Sequence, residues 1–235
     1  MASKSIGILQ PVYLPWLGYF EQIARVDEFV FQDDAQYTKA DWRNRNRIKG
    51  PQGPIWLTVP VTKAPLDTPI NAIEIDHRHR WVDKHLKSIA VHYARAPYRD
   101  AILAELEAVL RVETALLSEL TTRLIMRLSA LLKLETKFSF SAAVPRDPQA
   151  GLNDRLLEIA QARQANHIYL GATSGDYVPP EFYAPHRISV EFQTWEHPVY
   201  AQQYGPFVSH MSVIDVLMNI GPQATAECLQ PVSAN

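Results

Sequence analysis

An α/β fold, with a Rossmann-like, mostly parallel sheet and a helical middle segment, is predicted by three observations. Short β-rich runs alternate with helical patterns at both ends of the chain, an apolar run near the N-terminus stops at a proline-rich turn, and apolar spacing between residues 81 and 134 is helical throughout. The expected organisation is a single α/β domain over residues 1–235, with residues 80–134 as a mainly helical insertion.

Residues 6–9 (Ile-Gly-Ile-Leu) read as a strand that cannot continue past Pro11 and Pro15. From Trp16 the apolar positions Trp16, Leu17, Phe20, Ile23 and Ala24 recur at helical spacing, and residues 26–32 return to a short β-rich run. Residues 33–53 are polar and arginine-rich. β-Branched content between Gly and Pro marks a strand at 55–61, and 70–75 reads as the next. Helices are predicted over 82–93, 98–110 and 114–132, the first two separated by Pro97. Residues 137–141 suggest a short strand and 145–152 a linker. Helix 154–165, strand 167–170, strand 188–195 and helix 212–218 follow, the last capped by Ser209 or Ser212.

The 235 residues suffice for one substantial core, and 47% hydrophobic with 20% charged residues is ordinary for a globular chain. A net charge of −2 argues against a general binder of duplex DNA while permitting a local basic patch. The single cysteine, Cys228, has no partner for an intramolecular disulfide, and no basic start leads into a signal-like apolar core, so a cytoplasmic location is expected. No apolar run approaches the roughly 20 residues of a membrane span.

Ligands of open parallel sheets sit beyond the carboxyl ends of the strands, so the loop from Gln10 to Pro15 and the turn Gln32-Asp33-Asp34 should face one cleft. Amides at the start of the Trp16 helix suit a phosphate or carboxylate, and Gly18 allows a ligand or neighbouring group to approach closely. Tyr13, Trp16 and Phe20 are read equally well as core aromatics. Side-chain alternation sends one of Asp33 and Asp34 into the cleft, to bind Mg²⁺ or accept a proton, or leaves both ending a strand.

Trp42-Arg43-Asn44-Arg45-Asn46-Arg47 places three guanidinium groups on one face of an extended segment, a face suited to phosphate. The asparagines can bind sugar hydroxyls or satisfy the backbone. A solvated charge run is the alternative. His77 and His79, between Arg78 and Arg80, lack a carboxylate or cysteine at ligand spacing, so no metal site is expected there. No nucleophile elbow, Walker loop or dinucleotide fingerprint occurs. The loop with Ser174 and Asp176 suits a polar ligand or an ordinary turn. Asp215 and Asn219, four apart on an apolar helix, either close the cleft or tether a loop.

Gln10-Pro-x-Tyr-Leu-Pro-Trp-x-Gly-Tyr-Phe, Asp27, the segment from Asp33 to Gln36, Trp42-x-Asn-Arg-Asn-x-Ile, Trp56-Leu-Thr-Val-Pro and Ser212-x-Ile-Asp-x-Leu-x-Asn-x-Gly together resemble the WbqC-like family over nearly the whole chain. The resemblance implies an enzyme of bacterial O-antigen or other surface-polysaccharide biosynthesis, with acyl or aminoacyl (glycyl) transfer to an amino sugar among the roles suggested. On that footing Arg43, Arg45 and Arg47 hold the diphosphate of a nucleotide-linked sugar, Tyr13 and Trp16 stack on base or sugar, Gln10 orients it, and Asp33 or Asp34 is the general base. Aminoacyl-tRNA is a conceivable donor. A weaker likeness joins the N-terminal segment to nucleotidylyltransferases, but Tyr13 and Trp16 stand where two histidines would hold ATP phosphates. The rivals are therefore an ATP-dependent nucleotidylyltransferase or ligase using Mg²⁺ with a nucleotide, and a non-catalytic partner of a glycan-synthesis complex.

Overall fold

The computed structural model describes residues 3–230. Seven strands lie among them: β1 (Ser5–Leu9), β2 (Glu28–Phe31), β3 (Arg45–Gly50), β4 (Gly53–Thr58), β5 (Lys137–Phe140), β6 (His167–Leu170) and β7 (Ser189–Phe192). The helices are α1 (Leu17–Ala24), α2 (Trp81–His92), α3 (Arg99–Leu110), α4 (Leu117–Leu131), α5 (Leu152–Ala162), α6 (Pro180–Tyr183) and α7 (Val213–Glu227).

Five strands form one wholly parallel sheet in the order β5-β2-β1-β6-β7. Chain order reverses between β1 and β6, the point where a doubly wound α/β sheet opens a crevice at its carboxyl edge. Period-two alternation sends the side chains of the central strands to two buried sides of the sheet. Ile6, Ile8, Val30, Ile168 and Leu170 pack on one side against Leu156 and Ile159 of α5 and Tyr183 of α6. Phe29, Phe31 and Tyr169 face the other side, in the larger core that α1, α2, α3, α4 and α7 share. Every side chain of α1 from Leu17 to Ile23 is buried, so this helix is held between sheet and helical layer.

Several elements differ from the sequence reading. The helix expected over 212–218 runs as α7 to Glu227 across a kink at Gly221, and the strand expected over 188–195 ends at Phe192. Residues 70–75 are not a strand: Ile70–Ala72 is a single 3₁₀ turn, and only Glu74 and Ile75 pair, in isolated bridges to Leu116 and Val61. The buried Ile70 and Ile73 are three apart, a spacing that suits a turn rather than a strand. The strand predicted at 55–61 ends at Thr58 and belongs to a separate antiparallel ribbon with β3, where Arg47 lies opposite Trp56. α5 begins at Leu152, two residues early, because Gly151 takes the cap position and the Asp154 carboxylate accepts its N–H at 3.1 Å.

No helix is long and apolar enough to cross a membrane among the described residues.

Candidate functional site

A cleft of about 420 Å³ opens beyond the carboxyl ends of β1 and β2, lined by Gln10, Gln32, Asp34, Asp67, Arg146 and Arg155 among others. Gln10 and Gln32 are the first residues past their strands, and the Gln32 N–H donates to Leu9 O at 2.9 Å, so the pairing of β1 with β2 fixes both. Gly151 and Leu152, at the start of α5, close the far wall and bring the positive end of that helix to the cleft.

The two aspartates after β2 separate as alternation requires. Asp33 is buried, and its Oδ1 accepts from Ala142 N–H at 3.0 Å and lies 3.2 Å from Ser141 Oγ, joining the ends of β2 and β5. Asp34 faces the cleft. Arg155 Nη2 donates to its Oδ2 at 2.7 Å, and Ser141 Oγ to its Oδ1. Arg155 is itself buried, with further bonds to Ser141 O (2.7 Å), Val144 O (3.1 Å), Pro145 O (3.0 Å) and Glu158 Oε2 (3.0 Å). Arg146 is exposed on the rim.

The ribbon is docked on the β1–α1 loop by its asparagines. Asn46 Nδ2 donates to Leu14 O at 2.8 Å and Tyr13 O at 3.3 Å, holding a loop in which Leu14 has φ +44°. Asn44 Nδ2 donates to Val59 O at 2.8 Å. Both side chains are buried and bond to the backbone, leaving neither for a sugar. Arg45 and Arg47 lie on the opposite face of β3, and Arg43 stands in the turn before it. Arg43 donates to Asp41 and to the side-chain oxygen of Gln10, which ties that turn to the cleft. Arg45, Arg47 and the half-exposed Trp42 do not line the cleft themselves.

Tyr13 is fully buried: its hydroxyl contacts His85 Nδ1 at 2.9 Å and its ring meets Trp81 edge-on at 6.5 Å. It has no face open to a ligand. Burial pushes the His85 pKa down to about 4, so a neutral imidazole shares a hydrogen bond with the tyrosine hydroxyl. Trp16 is partly exposed, but its indole already packs against Trp195, His197 and His210, the last at 4.8 Å. A Cβ on Gly18 would lie 2.1 Å from that indole, so Gly18 makes room for Trp16 rather than for a ligand. Trp16 also pairs with Ser212 in an antiparallel bridge, and Val213 N–H donates to Pro15 O at 2.8 Å, setting the lead of α7 against the start of α1.

Asp215 is wholly buried and accepts from Tyr93 Oη (2.6 Å), Tyr200 Oη (2.7 Å) and Gln202 Nε2 (2.7 Å), tethering the loop before α7. Burial raises its pKa, against the opposing effect of those donors. Asn219 Nδ2 donates back to Asp215 O within the helix. Ser174 and the exposed Asp176 lie on the turn after β6, outside the cleft.

Of the residues singled out in sequence, Gln10 and Asp34 line the cleft and Arg43 reaches it. Gln32, in the turn expected to face the cleft, lines it as well, whereas Asp67, Arg146 and Arg155 were missed. Arg155 carried a signal, since it lies four residues before the buried Ile159 and so on the apolar face of its helix.

The model of the WbqC-like protein family matches residues 10–227. The chain is similar to the uncharacterized protein Rv1507c of Mycobacterium tuberculosis, with 34% identity over 224 residues, 94% of this chain and 96% of that protein. No solved structure matches.

Proposed function

The chain belongs to the WbqC-like protein family, and we propose from that premise that it is a cytoplasmic transferase of bacterial surface-polysaccharide biosynthesis, placing an acyl or aminoacyl group on the amine of a nucleotide-activated amino sugar. One observation carries the proposal. A cleft at the carboxyl edge of a parallel sheet holds an oriented carboxylate, Asp34, with Arg146 and Arg155 in its lining. Gln10 and Gln32 supply the neutral polar contacts that sugar hydroxyls require. Arg146 in the cleft lining and Arg43, bonded to the cleft residue Gln10, suit the diphosphate. Arg155 and Ser141 fix the Asp34 carboxylate so that it meets the sugar amine.

In the transfer, the amine nitrogen bonds to the acyl carbonyl carbon, the bond to the donor's leaving group breaks, and Asp34 takes the amine proton and passes it to that leaving group.

Mass spectrometry of nucleotide-linked amino sugars incubated with the protein and activated acyl or aminoacyl donors reads the amide product. Asp34→Asn is expected to lower the rate by about a hundredfold or more while sparing sugar-nucleotide binding. Equal loss of both removes Asp34 as the base. Turnover that instead consumes ATP and releases pyrophosphate assigns the cleft to a ligase or nucleotidylyltransferase.

A further inference from the structure

Two glutamines that line the cleft, Gln10 and Gln36, are turned in opposite senses by partners that leave no choice of amide orientation. Arg43 can only donate, so the atom of Gln10 that meets its Nη2 is the side-chain oxygen, and the amide NH2 is left for a ligand. The carbonyl of Leu66 can only accept, so the atom of Gln36 that meets it, at 2.5 Å, is the nitrogen, and Oε1 is left for a ligand. Exchanging oxygen and nitrogen in either amide would set donor against donor or acceptor against acceptor. The Arg43 charge, itself held by Asp41, also polarises the Gln10 amide and makes its N–H groups stronger donors.

The rest of the lining falls into the same two groups. Acceptors sit on two segments laced together by backbone bonds, Tyr37 N–H to Thr68 O, Ile70 N–H to Ala35 O and Asn71 N–H to Asp33 O, each at 2.9 Å. They are the Asp34 carboxylate, Gln36 Oε1 and the carboxylate of the exposed Asp67. Donors lie on other elements: Gln10 just past β1, Arg146 on the segment before α5, and the N-terminal turn of α5, whose dipole favours an anion. An ammonium group has only hydrogens to give and suits the first group. A phosphate has only oxygens to offer and suits the second.

We propose that this sorting fixes the direction in which the ligand lies and selects a sugar phosphate that carries a free amine. Asp67 and Gln36 take hydrogens of the amine beside Asp34, and Gln10 donates to an oxygen of the phosphate. The inference rests on the reading of the cleft as an amino-sugar site and adds the residues that set its specificity. A hydroxyl in place of the amine lacks the charge that Asp67 attracts. An N-acetyl group lacks that charge and keeps a single hydrogen, so both analogues bind more weakly.

NMR titrations that follow the side-chain amide groups, with glucosamine-1-phosphate, glucose-1-phosphate and N-acetylglucosamine-1-phosphate as probes, test this. Glucosamine-1-phosphate should bind about tenfold more tightly than the other two, and all three should move the Gln10 NH2 resonances. Asp67→Asn should bring the three affinities together without weakening glucose-1-phosphate. Gln10→Glu still gives Arg43 an oxygen but turns a second oxygen towards the ligand. It should weaken all three probes about tenfold or more, with an unchanged melting temperature showing that the cleft is folded. Equal affinities for the three probes, wild-type binding by Gln10→Glu, or no binding of any probe overturns the proposal. Amide formation in the mass-spectrometric assay with no preference among the probes leaves the transfer reading standing and removes this one, whereas the preference without amide formation does the reverse.

Discussion

Arg155 Nη2 lies 2.7 Å from Asp34 Oδ2, joining the end of β2 to the first turn of α5 across 121 residues of sequence. The pair is the strut of the cleft: the arginine that orients the carboxylate also binds three carbonyls of the segment between β5 and α5.

Removing that strut strands several groups at once. Arg155→Ala takes the cationic partner from the Asp34 carboxylate and leaves the Val144 and Pro145 carbonyls without their side-chain donor, and the expected loss is about 3–5 kcal/mol in urea unfolding. Arg155→Lys recovers little, because an ammonium cannot span the same fork of acceptors.

Asn46 is predicted to matter for loop shape rather than for sugar contact. Asn46→Ala frees the carbonyls of Tyr13 and Leu14, one beside a positive φ, and should cost about 1–3 kcal/mol. Asn46→Asp, which cannot donate, should cost at least as much in the same denaturation measurement.

The burial of His85 makes stability fall in acid. The folded His85 pKa, about 4, lies below its ordinary value of 6.5, so between those values the unfolded chain holds the extra proton. The contribution is complete above pH 6.5 and is lost as pH falls towards 4, by about 3 kcal/mol. His85→Gln should flatten the difference in melting temperature between pH 7 and pH 4.5.

Much of this was legible locally. The apolar runs of β1 and β6, the alternation of Asn44 and Asn46 with the three arginines, and the helical spacing from 81 to 134 each state a period that burial then reproduces. What the sequence left open depended on distant partners. Tyr13 sits in a βα turn where an aromatic can face a ligand, and it is buried because α2 brings Trp81 and His85 onto it. Asp34 and Asp33 look alike in sequence until Ser141, Ala142 and Arg155 claim their oxygens. Likewise the strand order comes from which crossover packs on which face.

Gly221 shows how a short motif hides a packing need. Its φ is +84°, it precedes Pro222 at the kink of α7, and an added Cβ would lie 2.5 Å from the Tyr98 ring. Gly221→Ala should lower stability by about 1–3 kcal/mol, and combining it with Tyr98→Ala should relieve only the clash, leaving the backbone strain.

Thermal stabilisation by candidate ligands tests the central claim most directly, since a ligand that binds only the folded chain raises its melting temperature by mass action. The account predicts stabilisation by a nucleotide-linked amino sugar, by about 2.7 kcal/mol at a hundredfold excess over Kd, and its loss in Arg43→Ala. Stabilisation by ATP with Mg²⁺ but by no nucleotide-linked amino sugar would contradict it.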